Sequence, residues 1–199
     1  MTEMEKMAKG YLWNDTDEYL EEQRVKQELM YEFNHLRPSQ TREREEIARK
    51  LFGHVGKNVF IRPPVTLARG TLVSIGDDSY INANLTLVDD YKVTIGRGCL
   101  FAPNVTISTT GHPVDPELRT KGMYSFPVTI GDNVWIGAGA IILPGVTIGE
   151  NSIIGAGSVV TRDIPANVIA FGAPCRVHRA IDERDKEYYY RDYRTDAQV

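Results

Sequence analysis

The segment IGDNVWIGAGAIILPGVTIGENSIIGAGSVV, residues 130–160, decides the fold of this chain. An aliphatic residue opens every sixth position in it, and the pattern extends toward the N-terminus, so that fifteen units lie between residues 55 and 165. The leading residues are Val55, Ile61, Leu67, Ile75, Ile81, Leu87, Ile95, Phe101, Ile107, Ile130, Ile136, Ile142, Ile148, Ile154 and Val160. A period of six fits neither an amphipathic helix nor a simple alternating strand, so the pattern is a repeat.

The fourth and fifth residues of each unit predict what the repeat builds. Thirteen of the fifteen fourth residues are Gly, Asn or Asp, which tolerate positive φ and therefore suit tight corners. The fifth residue, for example Val105 or Val134, lies two positions before the next leader, so both side chains share one face of a strand. Three such corners return the chain to its starting direction. The sequence therefore predicts a mainly β fold, a triangular solenoid of short parallel strands.

Interruptions of the repeat predict one extended loop. The leaders are six residues apart except for two steps of eight, Leu67 to Ile75 and Leu87 to Ile95, and one gap of twenty-three between Ile107 and Ile130. Two extra residues fit a bulged corner. The large gap predicts a loop over about residues 108–127, and a long loop in a compact repeat is usually functional or disordered.

The chain divides into three predicted regions. Residues 1–53 form a helical segment, in which Asp15 and Glu18 make a capping pair for a helix through about Phe33, and a second helix ends at Gly53. Residues 54–172 form the repeat with its loop. Residues 173–199 form a crossing segment followed by a polar helical tail rich in tyrosine, which could equally be partly frayed.

Composition excludes several classes of function. A net charge of −4 provides no basic stripe for nucleic acid. The first ten residues, MTEMEKMAKG, lack the apolar stretch of a secretory signal, and no apolar run reaches the ~20 residues of a membrane helix. Cys99 and Cys175 form neither a disulfide framework nor a zinc motif, although one disulfide stays open. We expect a cytoplasmic protein that binds neither nucleic acid nor membrane.

Outward-facing apolar residues predict a covered surface. Trp135 and Ile153 are eighteen residues apart and share one face of the solenoid, and Ile141 and Val159 share another. Such apolar stacks indicate contact with another subunit or a ligand. Cover by the terminal helices is the alternative.

Of the four histidines, His112 has the most distinctive position, because it stands in TTGHPVD where the loop leaves the repeat. A neutral imidazole can accept a proton from a hydroxyl group near pH 7. The alternative is a surface histidine that stabilises a turn between Gly111 and Pro113.

Longer motifs support a family resemblance. The hexads IGDNVW, IGAGAI, IGENSI and IGAGSV resemble those of the hexapeptide-repeat acyltransferases, whose coil is a left-handed parallel β-helix. NLTLVDDYKVTIG, FAPNVTISTTGHPVD, MYSFPVTIGDNVWIG and GAPCRVHR resemble the galactoside/maltose O-acetyltransferase branch from about Gly10 to Tyr193. Ala68 departs from the galactoside pattern, which has a hydroxyl residue there, and the loop joins a maltose-type GHPVDP to a galactoside-type MYSFP.

That resemblance implies a homotrimer that transfers an acetyl group from acetyl-CoA, a co-substrate, directly to a sugar hydroxyl without a metal, with His112 as general base. The positions matching sugar contacts are Asp15, Tyr80, Asn82, Asp90 and Met123. The positions matching the path of CoA are Trp135, Ala138, Ala156, Thr161, Arg162, Arg176 and Arg179. Each residue also has an ordinary structural explanation, such as helix capping for Asp15 or solvated surface charge for the arginines.

Other functions stay open on the sequence alone. An acetyltransferase of the same fold could act on an amine, an amino acid hydroxyl or an antibiotic. A metal hydratase would need several histidines around zinc, and only His112 lies in the middle of the repeat. A non-catalytic scaffold would need no interrupting loop.

Overall fold

The computed structural model describes residues 1–194 and contains three helices before the repeat. They are α1 (Glu3–Ala8), α2 (Asp17–His35) and α3 (Thr41–Leu51). The N-cap of α2 is Thr16, whose side chain accepts a hydrogen bond from the Tyr19 N–H. The predicted capping pair of Asp15 and Glu18 is therefore wrong by one residue, because a hydroxyl was available at the next position.

The repeat region consists of very short strands. In chain order they are β1 (His54–Val55), β2 (Phe60–Ile61), β3 (Val65–Leu67), β4 (Val73–Ile75), β5 (Tyr80–Ile81), β6 (Leu85–Val88), β7 (Val93–Ile95), β8 (Leu100–Phe101), β9 (Thr106–Ser108), β10 (Thr110–Gly111), β11 (Tyr124–Ser125), β12 (Val128–Ile130), β13 (Trp135–Ile136), β14 (Ile141–Ile142), β15 (Thr147–Ile148), β16 (Ile153–Ile154), β17 (Val159–Val160), β18 (Val168–Gly172) and β19 (Cys175–Ala180). A short helix, α4 (Pro116–Arg119), lies in the loop between β10 and β11.

Three sheets form the three faces of the solenoid. The first face has the order β1-β4-β7-β12-β15, the second β19-β18-β16-β13-β8-β5-β2, and the third β17-β14-β9-β6-β3. All pairs are parallel except β18 with β19, and leaders pair with leaders, as in Ile75 with Ile95. The triangular solenoid predicted from the repeat is confirmed.

Burial and backbone angles explain the pattern within each unit. Fourteen of the fifteen leaders are buried, and the first, Val55, packs partly buried against the same core. Eleven of the fourth residues have positive φ, for example Asn104 and Gly139. Asp90 and Asp163 do not, although their residue types fit the pattern. Trp135 pairs with Ile153 and Ile141 with Val159 on the outward faces, as the spacing predicted.

All three interruptions of the repeat fall on the same edge, between the third face and the first. These segments join β3 to β4, β6 to β7 and β9 to β12. We call this edge the insertion edge. It gathers the two bulged corners and the long loop into one column, so that residues far apart in sequence become neighbours.

Helices α2 and α3 close the N-terminal end of the solenoid. Phe33, Leu51 and Phe52 are buried in the same core as the leaders. The Asn34 side chain pairs with the backbone of Val65 in both directions, accepting from its N–H at 2.8 Å and donating to its carbonyl at 2.8 Å. An amide side chain therefore satisfies an edge strand that would otherwise be open.

The tyrosine-rich tail is not the predicted polar helix. After β19 the chain forms only a four-residue helix, α5 (Arg184–Glu187), and then an antiparallel hairpin of β20 (Tyr188–Tyr190) and β21 (Tyr193–Arg194). Arg191 has a φ of 51° between the two strands, which permits a tight turn. The end of the predicted tail, residues 195–199, lies outside the described residues.

Two findings concern cofactors and membranes. Within residues 1–194, no cluster of three or more His, Cys, Asp or Glu has the arrangement of a metal site. No helix in that part of the chain has the length and apolar character to cross a membrane.

Cys99 and Cys175 are both free and buried, so the disulfide left open by the sequence is not formed.

Candidate active site

The loop that carries His112 is tied down at its root by a short hairpin. β10 and β11 pair antiparallel, with Thr110 opposite Ser125 and Gly111 opposite Tyr124. The Thr109 hydroxyl donates to the Val88 carbonyl at 3.0 Å. These bonds fix the first residues of the loop to the neighbouring coil, immediately before His112.

Trp13 locks the same root to the N-terminal segment. Its indole Nε1–H donates to Ser125 Oγ at 2.9 Å, and Ser125 Oγ lies 2.7 Å from Thr110 Oγ1. The backbones of Trp13 and Met123 exchange two hydrogen bonds, of 2.9 and 3.0 Å. Trp13 has no exposed surface, so a residue near the N-terminus is a buried support for the loop.

Gly111 places His112 through close packing. A Cβ at Gly111 would lie 2.4 Å from the Tyr124 hydroxyl and 2.6 Å from the ring, so any side chain there would displace the tyrosine. His112 itself is exposed in the single chain, and within residues 1–194 its imidazole makes no hydrogen bond. A free imidazole on a fixed backbone is suited to meeting an incoming hydroxyl.

Asp89 organises the bulged corner next to this root. Its carboxylate is fully buried and accepts from the N–H groups of Ala68 at 2.7 Å, Arg69 at 3.4 Å and Gly70 at 2.5 Å. Burial raises the pKa of Asp89, while the three N–H donors oppose that rise. Asp89 thus joins two consecutive bulges of the insertion edge.

Asp90 and Asp15 lie close together at this corner. The Tyr19 hydroxyl donates to Asp90 Oδ1. Partial loss of solvent, and secondly the charge of Asp90, raise the pKa of Asp15. Burial, and secondly the bond to Asp90, raise the pKa of Tyr19, so its phenol stays protonated and donates. Met123 packs against the apolar cluster of Trp13, Tyr19 and Tyr91.

The other two predicted sugar contacts lie at a different edge. Tyr80 is on the second face, where its ring stacks on Phe60 with centroids 5.4 Å apart. Asn82 follows it at the corner toward the third face, and its N–H donates to the Phe101 carbonyl. A single chain therefore brings Asp15, Asp90 and Met123 together near the loop root, but not Tyr80 and Asn82.

The predicted CoA residues are spread along the C-terminal coils. Trp135, Arg176 and Arg179 belong to strands of the second face. Ala138 and Ala156 are exposed at the corner toward the third face, where the Gly157 N–H donates to the Ala138 carbonyl at 2.8 Å. Thr161 and Arg162 are exposed beyond β17, on the insertion edge. Within one chain, these seven residues therefore do not form a single cluster.

The three arginines differ in the partners that their guanidinium groups already have. Arg179 forms two hydrogen bonds of 2.6 Å with the Asp185 carboxylate, which holds the pKa of Asp185 at about 2. Arg176 donates to the carbonyl of Cys175 at 2.7 Å. Arg162 makes no ion pair within the described chain. Arg179 would have to exchange a carboxylate for a phosphate in order to bind a nucleotide.

Known proteins resemble this chain over nearly its whole length. Residues 127–162 match the bacterial transferase hexapeptide model (six repeats), and residues 6–56 match the maltose acetyltransferase hexapeptide capping motif. A galactoside O-acetyltransferase from Escherichia coli is 54% identical over 197 residues, which cover 98% of this chain and 97% of that protein. The chain belongs to the hexapeptide-repeat acetyltransferases, in the galactoside/maltose O-acetyltransferase branch.

Solved structures support this membership of the hexapeptide-repeat acetyltransferases. A galactoside acetyltransferase in complex with coenzyme A is 53% identical, with a TM-score of 0.97, and the match covers 99% of this chain and 100% of that one. A maltose O-acetyltransferase from Clostridium difficile is 43% identical, with a TM-score of 0.89 over 92% and 99% of the two chains. The left-handed coil and the acyltransferase class implied by the sequence motifs are confirmed.

Several residues around the candidate site carried no sequence signal of their own. Trp13 and Tyr19 reach the insertion edge only through contacts distant in sequence, such as the bond between Trp13 and Ser125, which are 112 positions apart. Asp89 stood in a bulged corner, which the step of eight residues marked. The position of all three insertions at one edge could have been found from the sequence, because they follow the third, sixth and ninth leaders and each coil contains three leaders.

Proposed function

We propose that this acetyltransferase moves an acetyl group from acetyl-CoA to a sugar hydroxyl, with His112 as the general base. The observation that carries the proposal is the convergence at the insertion edge. A free imidazole follows an anchored hairpin, and the carboxylates of Asp15 and Asp90 lie beside the same root. The galactoside and maltose O-acetyltransferases similar to this chain support a sugar as the acceptor.

His112 would carry the proton through the reaction. A neutral ring nitrogen accepts the proton of the acceptor hydroxyl as that oxygen attacks the thioester carbonyl carbon. The tetrahedral oxyanion then collapses, the C–S bond breaks, and the imidazolium returns its proton to the leaving thiolate. Holding both substrates together lowers the barrier, so a covalent acyl-enzyme is not required.

Asp15, Asp90 and Met123 would bind the acceptor on this side. Each carboxylate can accept from two sugar hydroxyls. Loss of solvent, and secondly the charge of Asp90, raise the pKa of Asp15, so the two carboxyl groups lie within electrostatic reach of each other. Met123, held by its backbone bonds to Trp13, would supply an apolar contact to the sugar ring.

The C-terminal coils would bind acetyl-CoA. A relative solved as a complex with coenzyme A supports this part of the proposal. Ala138 and Ala156 are small and exposed, so a slender pantetheine could lie along the coil backbone at their corner, and Trp135 is half exposed on the adjoining face. Thr161 lies on the insertion edge, so it would contact acetyl-CoA from a neighbouring chain. Arg162, Arg176 and Arg179 would hold the nucleotide phosphates by charge-assisted hydrogen bonds.

We further propose that the complete site forms between two chains of a homotrimer. Tyr80 and Asn82 lie at one edge of the solenoid and His112 at another, so a neighbouring subunit would have to join them. The second face carries a continuous outward row, Phe60, Tyr80, Leu100, Trp135, Ile153 and Ile169, whose members pair in register. This row is the apolar surface that a neighbouring chain would cover.

Mixing two inactive variants tests the shared site. His112→Ala and Asn82→Ala are each expected to be inactive or nearly so. When the two are refolded together, about one quarter of the interfaces in random trimers combine both intact residues, so about that share of wild-type activity should return. Activity no greater than the sum of the separate variants would show that His112 and Asn82 serve the same chain. A mass of 22.4 kDa by light scattering, which is the mass of one chain, would contradict the trimer itself.

An acceptor panel tests the function. Release of free CoA and transfer of labelled acetyl are measured with monosaccharides, disaccharides, amines, amino acid hydroxyls and aminoglycoside antibiotics. We expect sugars to be the acceptors with the highest kcat/KM. A higher kcat/KM with an amine or an antibiotic would show that the acceptor is not a sugar. Absence of acetyl-CoA binding would favour a non-catalytic scaffold. A cytoplasmic location stays a prediction.

A further inference from the structure

Tyr19 occupies a position between the carboxylates of the insertion edge and a separate groove. It is buried, with 8% of its surface exposed, and its hydroxyl donates to Asp90 Oδ1. The Arg69 guanidinium lies over its ring, 4.7 Å from the centroid, and the Trp13 ring lies 5.7 Å away. Contacts on both ring and hydroxyl hold the side chain in one place.

The groove lies on the N-terminal side of this tyrosine. It has a volume of about 550 Å³, and its lining includes Met7, Trp13, Thr16, Glu18, Tyr19 and Arg69. A volume of this size is within the range of small-molecule sites. Tyr19 therefore lines the groove and also donates its hydroxyl to Asp90, so one side chain contacts both the groove and the carboxylate.

Arg69 holds that phenol in place from the groove side. Its guanidinium pairs with Glu22 across the base of the groove. Its Nε is buried, and within residues 1–194 it has no hydrogen-bond partner. A buried donor without a partner costs free energy, which suggests that the arrangement serves more than packing.

We propose that Tyr19 is a specificity-determining residue that limits the length of the acceptor. Its hydroxyl occupies one oxygen of Asp90, in the way that a sugar hydroxyl would, and its ring blocks the path into the groove. The inference rests on the proposed function, because it takes Asp90 as an acceptor contact. The site then accepts a sugar that ends at Asp90, and a sugar extended beyond that point meets the phenol.

Tyr19 would limit acceptor length in two ways, through the bond of its hydroxyl to Asp90 and through the bulk of its ring. Different substitutions separate these two effects. Tyr19→Phe removes the bond to Asp90 but keeps the ring in the path. Tyr19→Ala removes both and joins the groove to the site. Tyr19→Thr also opens the path, and its branched side chain fills part of the space, so it provides a second opened variant.

Acceptor length is the quantity that tests the proposal. Release of CoA is followed with glucose, maltose and maltotriose, and in parallel with galactose and lactose. The wild-type chain is expected to show falling kcat/KM as the sugar lengthens. In Tyr19→Ala and Tyr19→Thr, the kcat/KM of the longer sugar relative to the monosaccharide should rise by about tenfold or more. In Tyr19→Phe that ratio should stay within about twofold of wild type, because the volume of the ring is unchanged.

Tyr31→Ala is the matched control. It makes the same substitution on the same helix, at a side chain that is 63% exposed and stacks on His35. Its kcat/KM for the longer sugar relative to the monosaccharide should equal that of the wild type. Thermal unfolding of each variant establishes that it is folded before kinetics are compared.

Three results would count against the proposal, and they can be told apart. An unchanged length ratio in a folded opened variant would show that Tyr19 does not limit the acceptor, while the acetyl transfer itself stands. A wild-type preference for maltotriose over glucose would overturn the limit without any variant. Failure of the wild-type chain to acetylate any sugar would overturn the proposed function, and the inference would fall with it.

Discussion

Replacing His112 with alanine is expected to lower kcat by about 10²–10⁴-fold, which is the usual contribution of a general base. The KM for acetyl-CoA should change little, since the residues proposed to bind it lie on other coils. Stability should be nearly unchanged, because His112 is exposed and its ring bonds to nothing within residues 1–194. Initial rates of CoA release at saturating acceptor measure the effect.

A second histidine variant controls for general effects of the substitution. His54→Ala changes an exposed histidine in the short edge strand β1, at the end of the solenoid away from the C-terminal coils. It should keep kcat within about twofold of wild type. If the His112 variant turned over at a comparable rate, the base would have to be sought among other groups at the insertion edge.

The repeat predicted the architecture because it constrains side chains and backbone at once. A leader must be buried and a corner must accept positive φ, and each requirement restricts residue type at a fixed position. Ile107 and Asn104 satisfy both, with no exposed surface at the leader and a φ of 63° at the corner. Fifteen repetitions make such a pattern unambiguous, although its handedness needed the family resemblance.

The ends of the chain were harder to predict because they have no repetition to average over. Thr16 caps α2 in place of Asp15, a choice between adjacent residues that both cap well. The tyrosines near the C-terminus form strands of two and three residues, too short for any periodicity to show. The alternation that identifies a strand requires about four residues or more.

The candidate site was predicted in its residue types but not in its connections. His112 and Asp90 stood out because of their motifs and their place near interruptions of the repeat. The bonds that connect them to the N-terminal segment, through Trp13 and Tyr19, depend on long-range packing that local sequence does not encode. The separation of Tyr80 from His112 could have been found from the order of the leaders, because every third leader shares a face: Ile81 is the fifth leader and Ile107 the ninth.

Adding one methyl group at Gly76 is expected to destabilise the whole solenoid. A Cβ there would lie 2.6 Å from the carbonyl carbon of Gly96, 2.7 Å from its oxygen and 2.8 Å from the Arg97 nitrogen. All three atoms belong to the backbone of the next coil, so none can move away as a flexible side chain could. Overpacking of this kind costs about 3 kcal/mol or more, which corresponds to a fall in Tm of roughly 6–12 °C for a chain of this size.

Gly139→Ala separates steric crowding from backbone strain. Gly139 also lies at a corner, with a φ of 69°, but a Cβ there would have nothing within 4 Å. Its cost should be that of a left-handed alanine, about 1–2 kcal/mol. Thermal unfolding at equal protein concentration and scan rate compares the two. A smaller loss at Gly76 than at Gly139 would mean that adjacent coils can move apart to admit the methyl group. The close stacking of one coil on the next would then not explain the glycine at the second position of the hexad.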